Sequence, residues 1–216
     1  MDSERDPDDT RIRLLEAAED VFAEKGYEAA TTREICNRAG VRNVGAVNYY
    51  FQGKDRLYAE AVKYAMRTCA HGAPFPDWPP GTPPVRKLRE FIRTVMARML
   101  EIPKEASMTL MTREMTRLTP SPFTVEAVEL NMRPIANVLV AILNELLPDV
   151  PFERRVLVGF SIMGQCLFYR QNRAVSEVLF GRRLLQKLSA DELAEHIADF
   201  SLKAIRRERP KSRAKR

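Results

Sequence analysis

The sequence predicts an all-α protein: an N-terminal three-helix helix-turn-helix DNA-binding domain followed by a larger C-terminal helical domain, about nine helices in all. Three observations carry this reading. Apolar residues recur at helical spacing along most of the chain, prolines stand between the periodic segments, and strand-like alternation is absent. With 216 residues and 45% apolar content, the chain can build a small module and one further helical core.

Residues 1–9 hold Asp2, Glu4, Asp6, Asp8 and Asp9 and are expected to form a disordered acidic arm. The first helix is expected from Thr10 to Lys25, where Leu14, Leu15, Ala17, Ala18, Val21 and Phe22 make one apolar stripe that stops at Gly26. Thr31 and Glu34 have the spacing of a capping box opening a second helix, with Ile35 and Ala39 on one face. Gly40 is suited to the left-handed conformation that ends a helix, and Val44 and Val47 follow almost at once. Two helices joined so closely cross steeply, which leaves the second free to enter a major groove. Gln52-Gly53-Lys54-Asp55 opens a fourth helix carrying Leu57, Ala61, Val62 and Ala65, so the DNA-binding domain spans 10–65.

A second domain is expected over 66–207. It begins with a proline-rich loop, 72–84, in which Pro74, Pro76, Pro79, Pro80, Pro83 and Pro84 forbid a helix interior. Phe75 and Trp78 are expected to pin this loop to the body. Helices then read as 85–101, 104–117, 122–147, 152–173 and 190–207, separated by Pro103, Pro120, Pro148 and Pro151.

Two apolar patterns ask for partners, the first of them on the last two of these helices. Val156, Leu157, Phe160, Met163, Gly164, Leu167 and Phe168 form a stripe too wide for one neighbouring helix, and Leu193, Ile197, Phe200 and Ala204 repeat it. Two such helices from each of two chains would make a four-helix bundle, with Val156, Phe160, Met163, Leu167, Ile197 and Phe200 at the dimer interface; ordinary monomeric core is the alternative. A second group, Met96, Met99, Leu100, Met108, Leu110, Met111, Met115, Phe123 and Met132, is rich in adaptable methionine. It reads either as plain core or as the wall of a pocket for a small apolar or amphipathic molecule, with Arg113, Glu114, Gln165, Tyr169 and Arg170 as polar groups that could orient a guest. Glu114 equally suits a structural ion pair with Arg113 or Arg117.

The net charge of +6 is concentrated at one end. Lys203 to Arg216 holds eight basic residues and one acid, so the preceding chain is close to neutral. The tail, 208–216, is expected to be disordered, serving either nonspecific phosphate contact or solubility. No apolar run approaches the ~20 residues that span a bilayer, and the acidic, polar N-terminus does not read as a signal peptide, so a cytoplasmic protein is expected. Cys36, Cys69 and Cys166 are odd in number and far apart, which argues against a disulfide framework or a zinc site, and Cys36 reads as buried and inert. His71 and His196 are the only histidines, and neither a glycine-rich phosphate loop nor a metal-ligand cluster is present, so an enzyme is not expected and no cofactor is implied.

Gly26-Tyr27, Thr31-Thr32, Ile35, Ala39-Gly40-Val41, Tyr50-Phe51 and Lys54 with Leu57 resemble the N-terminal signature of the TetR family of bacterial transcriptional regulators. The resemblance covers residues 10 to 65. Ala46-Val47-Asn48-Tyr49-Tyr50-Phe51, with Thr112-Arg113-Glu114-Met115 further on, is most similar to the CecR-type subgroup. The turn departs from the family pattern by one extra residue among Val41, Arg42, Asn43 and Val44, which bears on the register of the reading helix. The resemblance implies a homodimer on a pseudo-palindromic double-stranded operator, a repressor released by an inducer in the C-terminal domain; a DNA-binding protein without an inducer is the alternative. It further implies that Thr32 meets a phosphate, Arg33 a phosphate or a guanine edge, Asn43, Val44, Gly45 and Ala46 the groove, Asn48 a phosphate or adenine, and Tyr49 and Lys54 the backbone. Pocket contacts at Met108, Met111, Met115, Arg113, Gln165 and Tyr169 follow the same resemblance. Tyr50 and Phe51 read as core, and Arg38 and Arg42 as solvated charges.

Overall fold

A computed structural model describes residues 7–70, 74–100, 104–117 and 122–208. Residues 1–6 of the acidic arm, His71 at the head of the proline-rich segment, and 209–216 of the basic tail lie outside the described residues. The described residues are helical throughout, without strands, but there are twelve helices where about nine were expected. They are α1 (Pro7–Ala29), α2 (Thr32–Arg38), α3 (Gly45–Phe51), α4 (Lys54–Ala70), α5 (Pro84–Leu100), α6 (Glu105–Met115), α7 (Pro122–Asn131), α8 (Arg133–Leu146), α9 (Phe152–Gln171), α10 (Arg173–Phe180), α11 (Arg182–Leu185) and α12 (Ala190–Glu208).

The additional helices have local causes. The segment expected as one helix over 122–147 is broken before Pro134, which lacks a donor and is at home in the first turn of α8. α9 stops at Gln171, and α10 and α11 flank Gly181 at φ +87°, a conformation that suits glycine. Pro7 to Asp9, expected in the disordered arm, begin α1, and Pro at a first helical position loses nothing because its N–H would be unpaired there.

Packing divides the chain into two compact units. One contains α1–α4 together with α6 and α7; the other contains α5 and α8–α12. A boundary at residue 66 does not describe this arrangement, because α6 and α7 pack against α1 and α4. The core of the first unit centres on Leu14, Phe22, Ile35, Leu57, Met66 and Leu110, all fully buried. In the second unit, α12 lies along α5 and α9, burying Leu88, Phe91, Ile92, Leu143, Ile162 and Ile197. The proline-rich segment is fastened to this second core: Phe75 stacks on Phe91 at 5.1 Å, and Trp78 donates its indole N–H to Glu90 at 2.6 Å.

Candidate nucleic-acid interface

Within the first unit, Thr31 is the N-cap of α2, its hydroxyl accepting the Glu34 N–H at 3.2 Å. The Glu34 carboxylate turns to Lys25, 2.7 Å away, and Arg38 grips Glu24 through two bonds of 2.6 and 2.8 Å. These pairs fasten α2 to α1, so Arg38 is engaged and not a solvated charge. The guanidinium holds the Glu24 carboxyl below the usual carboxylate range. Gly40 at φ +65° turns the chain.

Asn43 accepts the Gly45 N–H on its side-chain oxygen at 2.8 Å, capping a helix whose formal N-cap, Val44, offers no side-chain bond. A Cβ on Gly45 would stand 3.0 Å from that same oxygen, so the small residue matters here. α3 buries Ala46, Val47 and Phe51 in the core and turns Asn48 and Tyr49 outward, with Tyr49 80% exposed. Ala46 therefore does not face the groove: at this register its methyl packs inward. Val44 and Gly45 are exposed, and Tyr50 is half-buried against the core. Cys36 is fully buried, and burial pushes its thiol upward.

The cations sort into two groups. Arg11, Arg13, Lys25, Arg38, Lys63 and Lys104 all have carboxylate partners within 4 Å. Among the described residues, Arg33 on α2, Arg42 in the turn and Arg56 at the start of α4 have none, and all three are exposed. Thr32 is half-buried at the same end of α2. Lys54 is partly occupied: its ammonium sits 4.5 Å from the Tyr27 ring centroid and donates to the Glu28 carbonyl at 3.4 Å. Arg56 was missed by sequence reasoning, although its place two residues beyond Lys54 in a helix-opening segment was a usable signal.

Behind this face, Tyr27, Phe22 and Tyr58 form an edge-packed aromatic cluster, with Phe22 and Tyr58 centroids 4.8 Å apart. Tyr27 bonds Asp55 and Tyr58 bonds Glu114. Glu114 is buried and also accepts from Thr124 at 2.7 Å and Arg117 at 3.4 Å, which makes it a structural link between α4, α6 and α7. Burial, aided by the carboxylate, pushes the Tyr58 phenol well above its ordinary value.

The residues read as pocket contacts fall in both units. On α6, Met108 and Met111 are buried in the first core, Met115 is exposed, and Arg113 donates to the Phe22 carbonyl at 2.9 Å. On α9, in the second unit, Tyr169 packs at the edge of the core and Gln165 lines a cavity of about 220 Å³ between α9 and α12. The residues read as dimer contacts also divide. Phe160 and Phe200 are 69% and 60% exposed, and Val156, Met163 and Leu167 are half-buried. Ile197 is fully buried and unavailable to a partner, because its row of α12 is covered by α5 and α9.

Residues 14–61 match the family model described as bacterial regulatory proteins of the TetR family, and residues 84–205 match that described as the C-terminal domain of the HTH-type transcriptional dual regulator CecR. The chain belongs to the TetR family, with a CecR-type C-terminal domain. It is a transcription regulator with a helix-turn-helix DNA-binding domain. Among solved structures, a transcriptional regulator from Rhodococcus sp. RHA1 is 25% identical with a TM-score of 0.60, covering 91% of this chain and 96% of that one. A TetR-like regulator from the same organism is 16% identical, TM-score 0.57, with the same coverages. The hemolysin II transcriptional regulator HlyIIR is 23% identical, TM-score 0.53, covering 90% of this chain and 98% of its own. The last two establish likeness of fold alone. No curated protein matches the chain. Among the described residues no helix is long and apolar enough to cross a membrane.

Proposed function

We propose that this regulator is a homodimeric repressor that binds an inverted-repeat operator through α2 and α3 and is released by a small apolar or amphipathic inducer acting on its C-terminal domain. The observation that carries the reading is a set of cations without a carboxylate partner among the described residues, Arg33, Arg42 and Arg56, beside α3 in a unit whose other exposed cations are largely paired. Charge left without a protein partner is what phosphate contact requires. Tyr49, Asn48, Thr32 and Lys54 add backbone contacts, and Arg33, Asn43, Val44 and Gly45 meet base edges.

Dimerisation is supported by Phe160 and Phe200, large aromatic side chains exposed on the adjoining helices α9 and α12. A two-fold dimer presents two reading helices to the two halves of a pseudo-palindrome. The inducer is assigned to α6, at Met108, Met111, Arg113 and Met115. The methionines can repack around a guest, and α6 bears on α1 directly through the Arg113 bond to Phe22. A ligand that prefers one placement of α6 shifts the population of DNA-competent dimers.

The test is selection of random duplex DNA by the purified full chain at near-physiological salt, beside a version truncated before Lys203. An inverted repeat recovered by both forms supports an operator-specific dimer and supplies the probe for inducer screening. Unenriched sequences, or binding lost with the tail, would replace this reading with nonspecific binding.

A further inference from the structure

α10 and α11 bury none of their residues. Val175, Val178 and Leu179 lie on one helical face, and Phe180, Leu184 and Leu188 are exposed as well; Val178 is 86% exposed. An isolated helix of eight residues is marginal in water, so this apolar face needs a cover. The rim of the same segment is basic: Arg173 and Arg182 share Glu177, whereas Arg183 and Lys187 have no carboxylate partner among the described residues.

The complementary charge stands at the other end of α9. Asp149 and Glu153 are exposed and have no cationic partner among the described residues, and the Phe152 ring between them is 54% exposed. Twenty residues of α9 separate these two ends, about 30 Å at the helical rise, so the basic segment that follows α9 and the acids that begin it stand apart within one chain. Two copies remove that separation. The exposed α9 row, Leu157, Phe160 and Phe168, is centred near Ser161 and Gly164. A two-fold axis crossing the helix there runs α9 of one copy against α9 of the other in reverse, and brings the C-terminal end of each over the N-terminal end of its partner.

We infer that α10–α11 is an arm that docks on a second copy of this chain, laying Val175, Val178 and Leu179 over Phe152 at the start of the other copy's α9, with Arg183 and Lys187 facing Asp149 and Glu153. The inference rests on the homodimer proposed above and extends its interface beyond the α9–α12 face. It also assigns the arm a role in matching: only chains with both Arg183 and Lys187 on the arm and Asp149 and Glu153 about the α9 start pair fully.

The test uses full-length chain carrying Val178→p-benzoylphenylalanine, irradiated as a mixture of isotopically light and heavy protein. The expected product is a covalent species of twice the 24.7 kDa chain, with light-to-heavy adducts within residues 148–157 of the second copy. In parallel, Arg183→Glu with Lys187→Glu raises the dimer dissociation constant about tenfold at low salt, and adding Asp149→Lys with Glu153→Lys restores it. Adducts confined to the same chain, adducts elsewhere on the partner, absence of adducts in a sedimenting dimer, or charge reversal without rescue each overturn the arm. A dimer that Phe160→Asp dissociates but that ignores every arm substitution keeps the homodimer and removes the arm. A wild-type chain that sediments as a monomer removes both.

Discussion

Arg113 donates to the Phe22 carbonyl at 2.9 Å, and the same guanidinium nitrogen lies 2.9 Å from where a Cβ on Gly26 would stand. Gly26 sits at φ +77°, ψ 173°, a region that is essentially closed to residues with a side chain. One arginine of α6 therefore braces the kink of α1 that leads into the helix-turn-helix, and does so at a residue that must lack a Cβ. Gly26→Ala is expected to cost about 1–3 kcal/mol in backbone strain, with a further penalty for displacing Arg113. In a double-mutant cycle by thermal or urea unfolding, Arg113→Ala should recover the clash but not the strain, giving a coupling of ~0.5 kcal/mol or more. Additive single effects would show that the two positions do not share this contact.

How much of this was legible in the sequence varies with the range of the interaction. Thr31 as a cap and Gly40 as a turn were readable because both act within four residues of themselves. The pairing of Arg38 with Glu24 was not, since it joins two helices whose relative placement depends on a buried core. The same limit explains Ile197 and Phe200: both belong to one apolar stripe, and only the position of α5 decides that one is core and the other surface. α6 was readable as a helix, but its docking on α1 and α4 is a choice among apolar faces that periodicity leaves equal. α10 and α11 were missed because Gly181 interrupts a short apolar segment that no core position claims.

The sole tryptophan gives a pH readout of the loop before α5. Glu90 accepts from Arg86 at 2.7 Å and from Trp78 at 2.6 Å, and these two bonds, the arginine first, hold its carboxyl below the usual range. A depressed carboxyl stabilises the folded loop above its ordinary value of 4.5 and loses that contribution as pH falls through the lower folded value. Trp78 emission should thus stay constant from pH 7 to about 4.5 and change only below it, while far-ultraviolet circular dichroism reports global structure separately. Glu90→Gln should move the emission at neutral pH and abolish the acid step. A midpoint above 4.5 would contradict the arrangement.

Arg56 and Lys54 test how charge is used at the start of α4. Arg56→Ala should weaken binding to specific and random duplexes alike and reduce the slope of log affinity against log salt by about 0.9. Lys54→Ala should also lower affinity, and in addition lose roughly 0.5–1 kcal/mol of stability from its place over the Tyr27 ring. Fluorescence anisotropy over a salt series, beside thermal unfolding, separates the two. A change in base preference with either variant would move that residue from backbone contact to base reading.

Phe160 and Ile197 separate interface from core on neighbouring helices. Phe160 is exposed on α9, so Phe160→Asp removes no internal contact of consequence and should leave the thermal midpoint of the monomer within the range of ordinary surface changes, about 0.5 kcal/mol. In the proposed dimer it buries an unpaired carboxylate twice, once per copy, and should yield monomers by sedimentation velocity with loss of inverted-repeat binding. Ile197 is fully buried against α5 and α9, so Ile197→Ala should cost about 2–5 kcal/mol of stability while the surviving folded protein keeps its oligomeric state. The opposite pattern, dissociation by Ile197→Ala and indifference to Phe160→Asp, would place the partner on a different surface of this unit.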